Sequence, residues 1–211
     1  MNAEPGEKLN LDKQEIAAFQ ALKAQSKDGA GNQKAVEVLI RKNFLARLQA
    51  YQAKGLAGVS PYERGDNEER LSSQEIRLSV DTSKLLTQHY PKFSEILLNY
   101  PNADMTGVEE SFVWFNLELF SRPLLVLTHR MLYKDGETYV ASDRHFYASQ
   151  EYNSLQAGGG VWPKDGGSLV VYLYRVSTDQ VGGFGSSAKH PISRALMGPY
   201  VEELAEKIRA Q

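Results

Sequence analysis

The stretch from Glu110 to Ser177 constrains the fold more than any other, because four runs in it have the length and composition of strands. "ESFVWFNLELF", "LLVLTHRMLY", "ETYVASDRHFYASQEY" and "SLVVYLYRVS" are rich in aromatic and β-branched residues, which suit a pleated, half-buried surface. Asp135-Gly136, between the second and third runs, is the strongest hairpin signal in the chain. An antiparallel meander is therefore expected.

Upstream the pattern is helical. Asp12 followed by Glu15 reads as an N-cap with its capping-box partner, and Ile16, Phe19 and Leu22 recur at helical spacing. After the breaker "SKDGAGNQ", Val36, Ile40, Phe44 and Leu48 form an apolar stripe supported by Leu39 and Leu45, which stops at Lys54 and Gly55. "GLAGVSPYERGDNEER" reads as a loop, and its Arg64-Gly65-Asp66 tripeptide is short enough to arise by chance. Ser72 with Glu75 opens another helix holding Ile76 and Val80, and Pro91 separates Leu85 and Leu86 from Phe93, Ile96 and Leu97. The tail from Pro191 carries Ile192, Leu196, Val201, Leu204 and Ile208 at helical spacing. The expected fold class is α+β: N-terminal helices, an antiparallel meander sheet and a C-terminal helix packed across it. Residues 1–55 are expected to form a helical extension and 56–211 the α+β domain.

Charge and composition narrow the partners. A formal charge of -2 gives no general reason to expect nucleic acid. No run approaches the roughly 20 apolar residues needed to span a bilayer. The absence of cysteine removes disulfides, thiolate nucleophiles and cysteine metal sites. "MNAEPGEKLNLDK" lacks the basic and apolar regions of a signal peptide, while "AEPGEKL" suits the polar start of a mature exported chain. A periplasmic or exported form is therefore expected ahead of a cytoplasmic one.

"STDQVGGFGSSAKHPISR" is the stretch most like a site. A phosphate loop of the G-x-x-x-x-G-K-[ST] kind fails here at the second glycine and at the hydroxyl after the lysine. A doubly wound nucleotide fold also needs parallel strands, and only a terminal helix follows. A turn or a loop at the mouth of a ligand site, with Gly183, Phe184 and Lys189, both remain.

If Asp135-Gly136 makes a two-residue turn, Lys134 faces Glu137 and the register assigns both faces. The more apolar face then holds Leu127, His129 and Met131 with Val140, Arg144 and Phe146, which places His129 and Arg144 diagonally among core residues. One reading pairs Arg144 with a carboxylate such as Glu118 and hydrogen-bonds His129 in the core. The other lets both line a cavity and hold the polar head of a ligand. On the other face Arg130 and Asp143 are neighbours suited to a surface ion pair. Asp143, His145 and Ser149 share a strand side, but alternate residues lie about 7 Å apart, too far for a hydrolytic triad within one strand. No metal-ligand spacing is present, and no cofactor is implied.

The order of helices, meander and long C-terminal helix resembles the helix-grip architecture of the START and Bet v 1-like superfamily. Separately, "YQAKGLAGVSPYERG", "FVWF", "RPLLVLTHR" and "STDQVGGFGSSAKHPISR" resemble a group of uncharacterised, often exported bacterial proteins with no assigned activity. The helix-grip resemblance implies a cavity between sheet and final helix that takes an apolar or amphipathic small molecule. His129, Arg144, Trp114, Tyr172, Gly183, Phe184 and Lys189 are the expected ligand-binding residues. Two alternatives stand: a cavity enzyme with His129 as general base and Arg144 stabilising an anion, or an envelope interaction module with a filled core. No complete catalytic motif is present.

Overall fold

The computed structural model describes residues 9–25, 29–65, 68–119, 122–179 and 206. The chain divides into two compact units, Met1–Ser177 and Thr178–Gln211. Every element below belongs to the first. The helix expected from Pro191 and the glycine loop with Gly183, Phe184 and Lys189 lie outside the described residues.

Helix α1 (Lys13–Gln25) begins as its sequence dictates. Asp12 Oδ1 accepts the backbone N–H groups of Gln14 and Glu15, each at 2.9 Å, and Glu15 returns Oε2 to the N–H of Asp12 at 3.0 Å. Glu15 also accepts both Nε, at 2.7 Å, and an NH2 group of Arg47 from α2 (Gly29–Lys54), a buried fork that clamps the two helices together. Gly55 ends α2 with φ 57°, and a Cβ there would sit 1.7 Å from the carbonyl oxygen of Tyr100. Glycine is required both by the backbone angle and by that approach. The boundary expected after residue 55 falls inside the first unit, where Tyr51 and Leu56 share one apolar cluster with Phe146 and Tyr147.

A minimal hairpin, β1 (Tyr62–Glu63) and β2 (Glu69–Arg70), leads to α3 (Ser72–Asp81), α4 (Lys84–His89) and α5 (Pro91–Asn99). Pro91 is the first residue of α5, where its missing N–H costs nothing. α3 is preceded by Leu71, which has no capping side chain, and the Glu75 carboxylate accepts Asn153 Nδ2 and Ser154 Oγ.

The main sheet is α+β in its setting and antiparallel throughout: β3 (Val108–Leu119), β4 (Arg122–Asp135), β5 (Thr138–Ala148), β6 (Ser154–Lys164) and β7 (Gly167–Ser177), in that spatial order. β6, with Gly158-Gly159-Gly160 and Pro163, is a fifth strand beyond the four expected. The β4–β5 register corrects the expectation by two residues. Asp135, not Lys134, closes the turn, facing Thr138 across Gly136-Glu137. Gly136 alone of the two has positive φ (60°), which is the demand of a type II′ turn at its first central residue. A shift of two preserves side-chain parity, so from Thr128 and His145 to the turn both faces hold the expected residues, while beyond the bulge Tyr147 and Ala148 exchange faces, and His129 lies directly opposite Arg144 rather than diagonal to it. A bulge between Leu127 and Thr128 then brings consecutive Phe146 and Tyr147 into the core.

The helices cover one sheet face. Tyr51 of α2 stacks on Phe146, Phe93 of α5 on Tyr133, and Tyr90 meets Trp162. The sheet's other face carries Arg130, Asp143, Tyr172 and Tyr174.

Candidate functional site

Arg144 and His129 are both fully buried, each at 0% exposure. Arg144 has no carboxylate partner among the described residues, which corrects the expected pairing with Glu118. Its Nε donates to Gln156 Oε1 at 2.9 Å, one terminal nitrogen to Tyr51 Oη at 3.2 Å and the other to the Leu97 carbonyl at 2.6 Å. Leu97 lies in the last turn of α5, whose carbonyls lack helical partners and carry the negative end of the helix dipole. The guanidinium thus replaces its hydration with one helix end and two neutral side chains. Gln156 also donates to Ser142 Oγ.

The network continues outward. Arg144 can only donate, so the Tyr51 oxygen accepts from it and the Tyr51 proton is left for His129 Nδ1 at 3.1 Å. That arrangement puts the histidine proton on Nε2, which meets Glu110 Oε2 at 2.8 Å. Glu110, 37% exposed, is the one end of this chain that reaches solvent. Burial, reinforced by the Arg144 charge, pushes the His129 imidazole down to about 3, so it is neutral at neutral pH. Burial raises the Glu110 carboxyl, and the Tyr100 hydroxyl that bonds it is pushed up to about 12, again chiefly by burial.

Aromatic rings seal this network. Phe112 stacks on His129 at 4.4 Å, with an interplanar angle of 16°, and Phe146 on Tyr51 at 4.3 Å and 3°. The far sides of Phe112 and Phe146 form part of the wall of a half-open groove of about 630 Å³ between α2 and strands β3 and β4. Phe44, Leu45 and Leu48 of α2 line one side, and Trp114 and Leu127 line the other. Its polar lining comes from Asn116, Thr128 and the Glu37–Arg41 ion pair, whose members are exposed.

The residues expected to bind ligand are thereby distributed. His129 and Arg144 are brought together, one aromatic layer behind the groove. Trp114 lines the groove and is 65% exposed. Tyr172 is on the opposite sheet face, with its ring against Gly159 of β6. Tyr51 and Glu110 join His129 to Arg144 and to solvent without a sequence signal of their own: Tyr51 continues the α2 stripe beyond Leu48, and Glu110 is assigned to the helix-facing side only by the register.

Other candidates resolve into structural contacts. Arg130 forks onto Asp143 at 3.0 and 3.1 Å, His145 bonds the Tyr152 hydroxyl at 2.6 Å, and Ser149 Oγ accepts the Leu125 N–H at 3.0 Å. The three residues of the strand-borne triad therefore turn to separate partners. Arg64 of the Arg64-Gly65-Asp66 tripeptide donates to the Asn10 and Asn153 amide oxygens at 2.9 and 2.7 Å, and Asp66 lies outside the described residues. Among the described residues no three His, Asp or Glu side chains converge as a metal site, and no helix is long and apolar enough to cross a membrane.

No family model matches the chain, and neither does any curated protein or solved structure.

Proposed function

We propose that the protein binds an apolar or amphipathic small molecule in the groove between α2 and the sheet. The observation that carries this reading is the groove itself: about 630 Å³, apolar side chains on both walls, and an indole left 65% exposed in one of them. Pockets for small ligands typically span about 300–1,000 Å³ and combine an apolar lining with a few polar groups. The apolar body of the ligand lies on Phe44, Leu48, Phe112 and Phe146, and a polar end meets Asn116 or Arg41 at the mouth. His129 and Arg144 act through the wall, holding Phe112 and Phe146 in place, and make no contact with the ligand. Acid–base chemistry at His129 is the weaker reading, because Phe112 or Phe146 would have to leave its stack before a substrate could touch the imidazole or the Tyr51 hydroxyl.

Titration with medium- and long-chain fatty acids and the matching alcohols, followed by tryptophan emission and native mass spectrometry, tests the proposal. A bound mass is expected, with an emission change that Trp114→Ala abolishes. Leu45→Glu, at a side chain already exposed, is expected to weaken binding about tenfold by placing a charge on the apolar wall. Absence of any bound mass, or binding indifferent to both substitutions, refutes it.

A further inference from the structure

Four of the side chains that line the groove between α2 and the sheet are aromatic: Phe44, Phe112, Trp114 and Phe146. Two of them are backed by the buried hydrogen-bonded network. Phe112 lies against the His129 imidazole at 4.4 Å and Phe146 against the Tyr51 ring at 4.3 Å. The backing rings are pinned in turn, because the imidazole is bonded at both nitrogens, to Tyr51 and Glu110, and the Tyr51 hydroxyl is bonded to His129 and Arg144. Phe146 lies within 3° of the Tyr51 plane, whereas Phe112 stands at 74° to it. The two groove-lining rings are therefore close to perpendicular, and both are fixed before any ligand arrives.

Resting on the reading that this groove holds a small molecule, we infer that its ligand is a flat aromatic ring system carrying a polar substituent, and not an acyl chain. A flat ring laid parallel to Phe112 meets Phe146 at nearly a right angle, and one laid parallel to Phe146 meets Phe112 the same way. Either pose makes one stacked and one T-shaped contact, the two arrangements that the ring quadrupole favours. A flexible chain gains neither, and on binding it gives up rotational freedom that a rigid ring never had. Trp114, two residues along β3 from Phe112 and so on the same side of the strand, adds an indole surface that is 65% exposed. The buried network thereby acts in recognition without touching the ligand: it sets the angle between the two rings.

Calorimetric titration of the full chain with naphthol, its fully saturated counterpart decahydronaphthol, and decanol tests this, since the three share one hydroxyl and the same number of carbons. By apolar area alone the saturated compounds would bind tighter, because they take more apolar surface out of water. Naphthol is expected instead to bind about tenfold tighter than either, as two favourable ring contacts require. Phe112→Leu keeps the groove wall apolar at a partly buried position but removes one ring, and is expected to cut that preference to about threefold or less. The ranking of the three compounds in the wild-type protein decides the matter even if that variant does not fold. Decahydronaphthol or decanol binding as tightly as naphthol, or a preference undiminished in Phe112→Leu, overturns the inference while leaving groove binding intact. Failure of all three compounds, together with the fatty acids, overturns both.

Discussion

The Arg144 guanidinium, without a carboxylate among its partners, makes each of its neutral acceptors individually important. Arg144→Ala removes the donor for Gln156, Tyr51 and the Leu97 carbonyl at one stroke and leaves a cavity, so a loss of about 3 kcal/mol or more is expected in urea unfolding. Tyr51→Phe keeps the ring stacks but strands one Arg144 N–H and His129 Nδ1 in a dry environment, for an expected loss of about 1–3 kcal/mol. Glu110→Gln retains an acceptor for the histidine at a partly exposed position, and is expected to cost less than about 1 kcal/mol. That ranking distinguishes a buried scaffold from a site whose outer carboxylate does the work. His129 and Arg144 were legible as a pair from parity alone, because an error of two residues in register leaves the faces unchanged. Their partners were not legible, since Tyr51 lies 93 positions from Arg144 in sequence.

Among the elements, α2 matters most to the site, since it supplies one wall of the groove and the hydroxyl of the network. Its C-terminal stop is unforgiving. Gly55→Ala is expected to prevent stable folding, because the added methyl meets the Tyr100 carbonyl and the residue must keep a positive φ; far-UV circular dichroism and thermal unfolding of the variant check this. Local chemistry made α1, α2 and the α4–α5 break readable: the Asp12–Glu15 box, the stripe through Leu48 and Pro91. β6 hid because three glycines and a proline weaken every strand signal, and its pairing with β5 and β7 supplies what its own propensity does not. The groove hid as well. Leu45 and Trp114 have the composition of core residues, and only the packing of α2 against β3 leaves them half open or more.

For the whole molecule, two histidines, His129 buried and His145 partly buried, set the acid limit. Burial holds His129 down to about 3, with Arg144 adding to it, and burial holds His145 down to about 4 against the opposing pull of Asp143. Both folded values lie below the unfolded value of 6.5, so the unfolded chain binds protons that the folded one refuses. The stability they contribute is complete above pH 6.5 and is lost as pH falls through 6 and 5 toward about 4 for His145 and 3 for His129, by up to about 1.4 kcal/mol per unit per histidine. Urea midpoints measured across that range are expected to fall steadily, with a shallower slope in His145→Gln.

The Tyr51–Arg144 bond also bears on synthesis. The two residues are 93 positions apart, so at ordinary elongation rates roughly 5–20 s pass between their emergence from the ribosome. Throughout that interval the groove-facing side of α2 has no sheet to lie on. Nascent chains stalled before β5 is complete should therefore be held by chaperones and cut readily by protease, and protection of α2 should arrive in one step once β4 and β5 have cleared the exit tunnel.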